Sequence, residues 1–348
     1  MIAAQARGLL YRLVHPEGDP EIKLLRRDVR RLLRRVEEIE AARRDDAERL
    51  RRADRNSAQL RLTTLLNQRQ REDVERLPAL LDEPRIAAHV RCAISSAPML
   101  TDPYEHILIE RLLPDDVYEL LIRAIPPAEF FDDRDLTKQN LVFPMELGPT
   151  LSSRVWTFMD DVVARQIIRP AVMEKFHAPL QHHFATVFGD AFVAQANALP
   201  QSMHGGRLML RRPGYHLSPH RDPKRAMLTC LLYVARPGDS EAHGTQLFRV
   251  HDDVEASYKT TYYPAEEGRR CELVKLVPFR PNTMLVSLNS RGAHGATIPP
   301  DAPAQLERYT YQFYVAPDNR ALGTLIKSLP PAQRAMWNDK AQATAEWA

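Results

Sequence analysis

The chain has 348 residues, 44% of them apolar, enough for a core domain with a sizeable buried interior plus an extension. A formal net charge of +3 is too small for a chain that binds nucleic acid through its overall charge. Three cysteines, Cys92, Cys230 and Cys271, form no CxxC pair and no disulfide framework, which points to a reducing cytoplasm.

The opening "MIAAQARGLLYRLVHPEGDP" is interrupted by Arg7 and Arg12 and has no small-residue cleavage site, so it does not read as a signal peptide. No run reaches the roughly 18 apolar residues that span a bilayer. The charge is uneven along the chain: residues 22–75 hold 16 Lys/Arg against 11 Asp/Glu.

Between Pro20 and Pro78 there is neither proline nor glycine. Ile22, Leu25, Val29, Leu32, Val36 and Ile39 step by three and four, an a/d seam, and the register continues weakly through Leu50, Ala53 and Leu60. A helix of this length reaches about 80 Å and cannot bury its own stripe. It therefore predicts self-association through residues 22–60; the alternatives are a charged helix folded back on the core and a basic face for an anionic partner. Pro78, Pro84, Pro98 and Pro103 mark residues 78–102 as a linker.

"PYEHILIERLLPDDVYELLIRAIPP" then predicts a short strand, His106–Glu110, and a helix with Asp115 or Asp116 in its first turn, ended by Pro126 and Pro127. Residues 150–188 read as helical, with a break near Pro170. After residue 200 the texture changes to short β-rich runs: "RLMLRR", "MLTCLLYVA", "TQLFRV", "ELVKLV", "TMLVSL" and "RYTYQFYV". Six short strands without intervening helices predict an antiparallel barrel or sandwich, with the preceding helices on one outer face.

The run "GYHLSPHRD" raises the functional question. Side chains on a strand alternate faces, so His220 and Asp222 point one way and Arg221 the other. A third ligand comes from "MLVSLNSRGAHGATIPP", where His294 sits among small residues that let the backbone approach closely. Two His and one carboxylate form the facial triad of non-haem iron oxygenases, with coordination positions left open. Zinc also accepts this donor set, so a hydrolase remains an alternative. In "RYTYQFYV", Arg308, Thr310 and Gln312 alternate with Tyr309, Tyr311 and Phe313. An arginine entering a small barrel needs an anion, and a carboxylate pairs with it in bidentate fashion. Thr310 on the same face adds a hydroxyl donor.

The order of these parts resembles the 2-oxoglutarate- and Fe(II)-dependent oxygenases, most closely the prolyl 4-hydroxylase-like branch. The resemblance rests on "LRRPGYHLSPHRD", "LTCLLYVA", "HGTQLF", "LVPFRPNTMLVSLNSRGAHGA" and "RYTYQFYV", with "PYEHILIERLLPDDVYELLIRAIPP" ahead of them. It covers roughly residues 103–317. It implies an α+β protein whose core is a double-stranded β-helix, or jelly roll. It also implies His220, Asp222 and His294 as iron ligands, and Arg308 with Thr310 on the distal carboxylate of 2-oxoglutarate. The cofactors would be Fe(II), 2-oxoglutarate and O2, with ascorbate as an optional reductant. Two features depart from the pattern. Arg308 lies 14 residues past His294, with "PPDAPAQLE" between, and Arg211 and Arg212 stand where that branch often has a tyrosine.

The resulting organisation is an N-terminal helical, coiled-coil extension (1–77), a linker (78–102), an oxygenase domain (103–320; helical support 103–200, jelly-roll core 201–317) and a helical tail (321–348). The expected function is hydroxylation of a small-molecule, peptidyl or glycan substrate with release of succinate and CO2. His216, Arg221, Asn289 and Arg291 are candidates for the substrate rim; Asn289 and Arg291 read equally as turn residues, and His204, His216 and His243 read first as structural or supporting residues rather than substrate contacts. Arg221, Lys224 and Arg225 read first as solvated loop charges, and would favour an acidic or phosphorylated substrate if they lined its entrance. The competing class is a non-catalytic jelly-roll scaffold assembled through its coiled coil.

Overall fold

The computed structural model describes residues 20–133, 141–253, 261–335 and 337. The opening segment before residue 20, and the part of the expected helical tail at 336 and 338–348, lie outside the described residues. The chain divides into two units, residues 1–62 and residues 63–348.

The first unit is helical. Helix Pro20–Arg69 begins within it and runs 50 residues, about 75 Å at 1.5 Å per residue. Its seam residues are largely solvent-facing: Leu32 is 63% exposed, Ile39 51%, Leu50 67% and Leu60 69%. A helix cannot bury such a stripe against itself.

The second unit starts with two helices where the prolines predict a linker. Helix Arg71–Leu80 carries Pro78 within it, and helix Glu83–Ser96 carries Pro84 in its first turn. Proline is tolerated there because the first-turn N–H has no intrahelical partner to lose. Asp82 caps that helix by accepting from the Arg85 N–H at 3.0 Å. Ile86, Val90 and Ile94, spaced by four, are buried. Residues 78–96 are thus part of the folded unit, and the boundary falls near residue 62 rather than 77.

Strand β1 (His106–Ile109) and helix Asp115–Arg123 follow as the sequence predicts. Two short strands, β2 (Asp132–Asp133) and β3 (Leu141–Val142), flank residues outside the described set. The helical stretch from Thr150 does not break at Pro170. A π-helical turn series, Met159–Ile168, links helix Thr150–Phe158 to helix Arg169–Lys175, which takes Pro170 in its first turn. Helix His177–Phe188 completes this layer.

Eight strands then form the core: β4 (Gln201–Arg211), β5 (His216–His220), β6 (Leu228–Tyr233), β7 (Thr245–Val250), β8 (Cys271–Val277), β9 (Thr283–Leu288), β10 (Ala293–Thr297) and β11 (Arg308–Pro317). They pair from the outside inward, β4 with β11, β5 with β10, β6 with β9 and β7 with β8, all antiparallel. That nesting is one long hairpin wound into two sheets. β6–β11 and β7–β10 pairings close the sheets in the orders β9-β6-β11-β4 and β5-β10-β7-β8. This is the jelly roll, which leaves few free strand edges. β1 extends the larger sheet beyond β9, and β3 and β2 extend it beyond β4.

The two faces of β11 show why this sequence rolls up. Tyr309, Tyr311 and Phe313 are buried on the outer face. Tyr311 meets Trp156 at 5.8 Å between ring centroids and Tyr309 meets Phe131 at 5.7 Å. The alternate residues Arg308, Thr310, Gln312 and Tyr314 face a cavity between the sheets. After β11, helix Asn319–Ser328 is capped by the Asp318 carboxylate, and Trp337 stacks on Phe188 at 5.0 Å.

Candidate metal centre and anion pocket

His220 ends β5, and its direct cross-strand partner on β10 is His294. Cross-strand partners share a face, so the pairing register alone sets the two imidazoles side by side, with ring centroids 4.3 Å apart. Asp222, two residues beyond His220, joins them. Its carboxylate lies 3.8 Å from His220 Nε2 and 3.5 Å from His294 Nε2. One ligand atom from each of the three fits within a 4.8 Å sphere of mutual distance. The close approach depends on small residues: a Cβ on Gly295 would stand 2.8 Å from the Leu217 carbonyl, and Gly292, at φ +66°, packs against the Tyr104 ring.

The neighbours of this cluster orient it. The Ser218 carbonyl accepts from His220 Nδ1 at 2.9 Å, which leaves Nε2 as the lone-pair nitrogen. Thr229 Oγ1 donates to Asp222 Oδ2 at 2.6 Å, and the Tyr314 hydroxyl donates to Oδ1 at 3.3 Å. Burial, and after it the Asp222 charge, hold the Tyr314 phenol well above its ordinary pKa, so it stays a donor. Burial and the adjacent His220 push His294 down to about 4, against the pull of Asp222. A neutral imidazole at physiological pH is the form that binds a metal.

The cluster lines a cavity of about 860 Å³. The same cavity is lined by Arg308 and Thr310. Arg308 Nε donates to the His243 carbonyl, and its guanidinium lies over the Phe279 and Tyr233 rings at 5.0 and 5.7 Å. Its Nη2 and the Thr310 Oγ1 are buried without a hydrogen-bond partner. Burial pushes the Arg308 pKa below the usual arginine range. Two orphaned donors on one face are the arrangement that a carboxylate satisfies.

The four residues expected on the substrate rim do not line this cavity. Arg221 points out of it, as the alternation predicts, and donates to both carboxylate oxygens of Asp253 and to the Gly292 carbonyl. Asp253 in turn accepts from the Gly292 N–H at 2.7 Å, so this buried pair ties the end of β5 to the turn before His294. Asn289 is buried and donates to Thr229 Oγ1 at 2.8 Å, which makes it a support for Asp222 through Thr229. The His216 ring is engaged with Thr297 and Ser218, and Arg291 is exposed beside the turn. Lys224, another cation considered for the entrance, is buried with its ammonium 5.0 Å from the Trp337 ring centroid.

Sequence reasoning passed over Thr229, Tyr314 and Arg207, which do line the cavity. Tyr314 was available from the parity of β11, since it continues the series Arg308, Thr310, Gln312. Thr229 becomes visible only once the bounds of β6 are known.

No family model matches the sequence, and no curated protein matches it. Among solved structures, a Pseudomonas putida prolyl-4-hydroxylase is 16% identical and covers 67% of this chain and 100% of its own, with a TM-score of 0.35. HygX from Streptomyces hygroscopicus, with nickel, 2-oxoglutarate and hygromycin B bound, is 12% identical over 62% of this chain and 83% of its own, TM-score 0.34. SnoN, a non-heme alpha ketoglutarate dependent epimerase from nogalamycin biosynthesis, is 14% identical over 73% of this chain and 91% of its own, TM-score 0.34. Taken from its own topology and geometry, the second unit is a jelly-roll protein with a two-histidine, one-carboxylate cluster inside the roll. No helix among the described residues is long and apolar enough to cross a membrane.

Proposed function

We propose that this chain is an Fe(II)- and 2-oxoglutarate-dependent dioxygenase that hydroxylates its substrate and releases succinate and CO2. One observation carries the reading: a single cavity holds both the His220–Asp222–His294 cluster and the unpartnered pair Arg308 and Thr310. The donor set fits Fe(II), because two imidazoles and one carboxylate on one side leave positions open for a co-substrate and oxygen. The orphaned Nη2 and Oγ1 fit the far carboxylate of a 2-oxo diacid. A zinc hydrolase would give the three ligands a task but leave Arg308 with none. A scaffold would explain neither.

When bound, Fe(II) with 2-oxoglutarate and O2 supplies the oxidising power for C–H hydroxylation, the 2-oxo acid being decarboxylated in the same turnover. The chain's own residues hold and orient. His220 and His294 present ring nitrogens from adjacent strands, and Asp222 supplies the negative charge, steadied by Thr229 and Tyr314. Arg308 and Thr310 fix the co-substrate by its far end, and Phe279 and Tyr233 exclude water around the guanidinium.

Two further elements complete the reading. The exposed seam of helix Pro20–Arg69 is a coiled-coil interface for a second copy of this chain. Light scattering of wild type against a Leu32→Asp, Ile39→Asp double variant checks it: the wild type should be at least dimeric and the variant monomeric, and a monomeric wild type refutes it. The exposed free thiol of Cys92 suits a reducing, cytoplasmic setting.

The enzymatic reading is tested by succinate formation from 2-oxoglutarate in the presence of Fe(II), O2 and ascorbate, without added substrate. Slow uncoupled turnover that disappears under argon and in His294→Ala supports it. Turnover that persists in His294→Ala rules out this metal centre.

A further inference from the structure

Arg308 does not stand alone. The last residue of β4, Arg211, is its direct cross-strand partner in the β4–β11 pairing. Partners in an antiparallel pair share a face, and both side chains line the cavity. Both are buried, Arg211 at 6% exposure and Arg308 at 4%. Neither has a carboxylate partner among the described residues. Arg211 donates only to the carbonyl of the residue before it, Leu210, at 3.2 Å and to the sulfur of Met209 at 3.1 Å, a weak acceptor. Its guanidinium lies over the Tyr215 ring at 4.8 Å.

Two like charges side by side in a buried cavity oppose folding unless an anion joins them. The same fold shows what it does with a structural buried arginine. Arg221, equally buried, is given the Asp253 carboxylate in a two-oxygen pairing. At Arg211 and Arg308 the carboxylate is withheld, and the direction in which both face is the cavity.

We propose that Arg211 is a second anion anchor that, with Arg308, clamps the far carboxylate of the 2-oxo acid between two guanidiniums. The inference rests on the dioxygenase reading and deepens it: Arg211 becomes a specificity-determining residue that selects a diacid over a monocarboxylic 2-oxo acid. It also predicts a cost in the ligand-free protein, since a second unpaired cation is buried for the sake of the ligand.

The test compares wild type, Arg211→Gln, Arg211→Lys and Arg308→Gln, each loaded with Fe(II) under argon. Calorimetric titration with 2-oxoglutarate reads the clamp. Titration with 2-oxovalerate, which has the same chain without the far carboxylate, serves as the control. Melting of the metal-free proteins reads the buried cation. Arg211→Gln should weaken 2-oxoglutarate about 10- to 100-fold and leave 2-oxovalerate within about twofold. Arg211→Lys should recover most of the loss. Metal-free Arg211→Gln should melt at or above the wild-type temperature, because a buried like-charge neighbour is gone. Unchanged 2-oxoglutarate affinity in Arg211→Gln alongside a loss in Arg308→Gln overturns the clamp and leaves the dioxygenase reading standing. Unchanged affinity in both variants overturns the two together. A lower melting temperature in Arg211→Gln, with equal losses for both acids, shows that Arg211 only supports the fold and also overturns the clamp.

Discussion

The two ends of the cavity are built on opposite principles. At the metal end, polar groups are held in place before any ligand arrives: Ser218 holds His220, Thr229 and Tyr314 hold Asp222, and Asn289 holds Thr229. At the arginine end, Arg308 Nη2 and Thr310 Oγ1 are left without partners, and Arg211 makes only weak contacts. Metal ligands must be aimed to within a fraction of an ångström, so the protein fixes them in advance. A charged co-substrate brings its own hydrogen-bonding capacity, so its donors are kept buried and waiting, at some cost in stability.

Breaking the metal end at its ligands should have the largest effect. Asp222→Ala removes the one anionic donor and should reduce Fe(II) affinity by more than 100-fold, with turnover lost. Equilibrium dialysis under argon measures this, and retained affinity would mean that the metal binds elsewhere. Breaking it one shell out should cost less. Thr229→Val keeps the shape of the side chain but frees Asp222 Oδ2, and should weaken Fe(II) about 10- to 100-fold. A Thr229→Val protein with wild-type metal affinity would show that Asp222 is not held in advance, and the contrast between the two ends would fail.

His183 sharpens the comparison from outside the cavity. It is fully buried and neither ring nitrogen has a hydrogen-bond partner among the described residues, yet it does not line the cavity that holds the metal cluster and Arg308. Burial first, and then the cations Lys224 and Arg221, push its pKa down to about 3. The unfolded chain holds a proton on this histidine below about pH 6.5 that the folded chain refuses until about pH 3. Stability therefore falls as pH drops through that window, by about 2 kcal/mol at pH 5 from this group. In His183→Phe, chemical denaturation at pH 7.5 and pH 5 should differ by about that much less than in wild type. An unpartnered group without a ligand task should show only this stability effect, with metal and 2-oxoglutarate affinities unchanged.

Legibility in the sequence followed the same divide. The strand runs, the alternation that sends Arg221 away from His220 and Asp222, and the parity of Arg308 and Thr310 are local properties of period two, and they were readable residue by residue. The expected linker failed because prolines at helix starts and prolines in loops look alike until Ile86, Val90 and Ile94 are seen to be buried. Asn289 and Arg221, expected on the rim, are instead engaged with the wall of the roll, for a different reason. Nearness in sequence to a ligand does not say whether a side chain faces the cavity or supports the wall behind it. Asn289 reaches Thr229, 60 residues away, and Arg221 reaches Asp253, 32 residues away. Those partners are set by strand pairing and leave no trace in a local pattern.

The central claim is that one cavity joins a metal centre to a carboxylate anchor. Anaerobic titration of the Fe(II)-loaded protein with 2-oxoglutarate tests it most directly, by following the visible charge-transfer band of an Fe(II)–2-oxo acid chelate in wild type and Arg308→Ala. Truncating one side of a buried charge pair costs about 2–5 kcal/mol. The band should therefore saturate in both proteins, with Arg308→Ala requiring roughly 30- to 4,000-fold more 2-oxoglutarate and Fe(II) affinity unchanged. Absence of the band in wild type, or the same 2-oxoglutarate affinity in both proteins, would contradict the account.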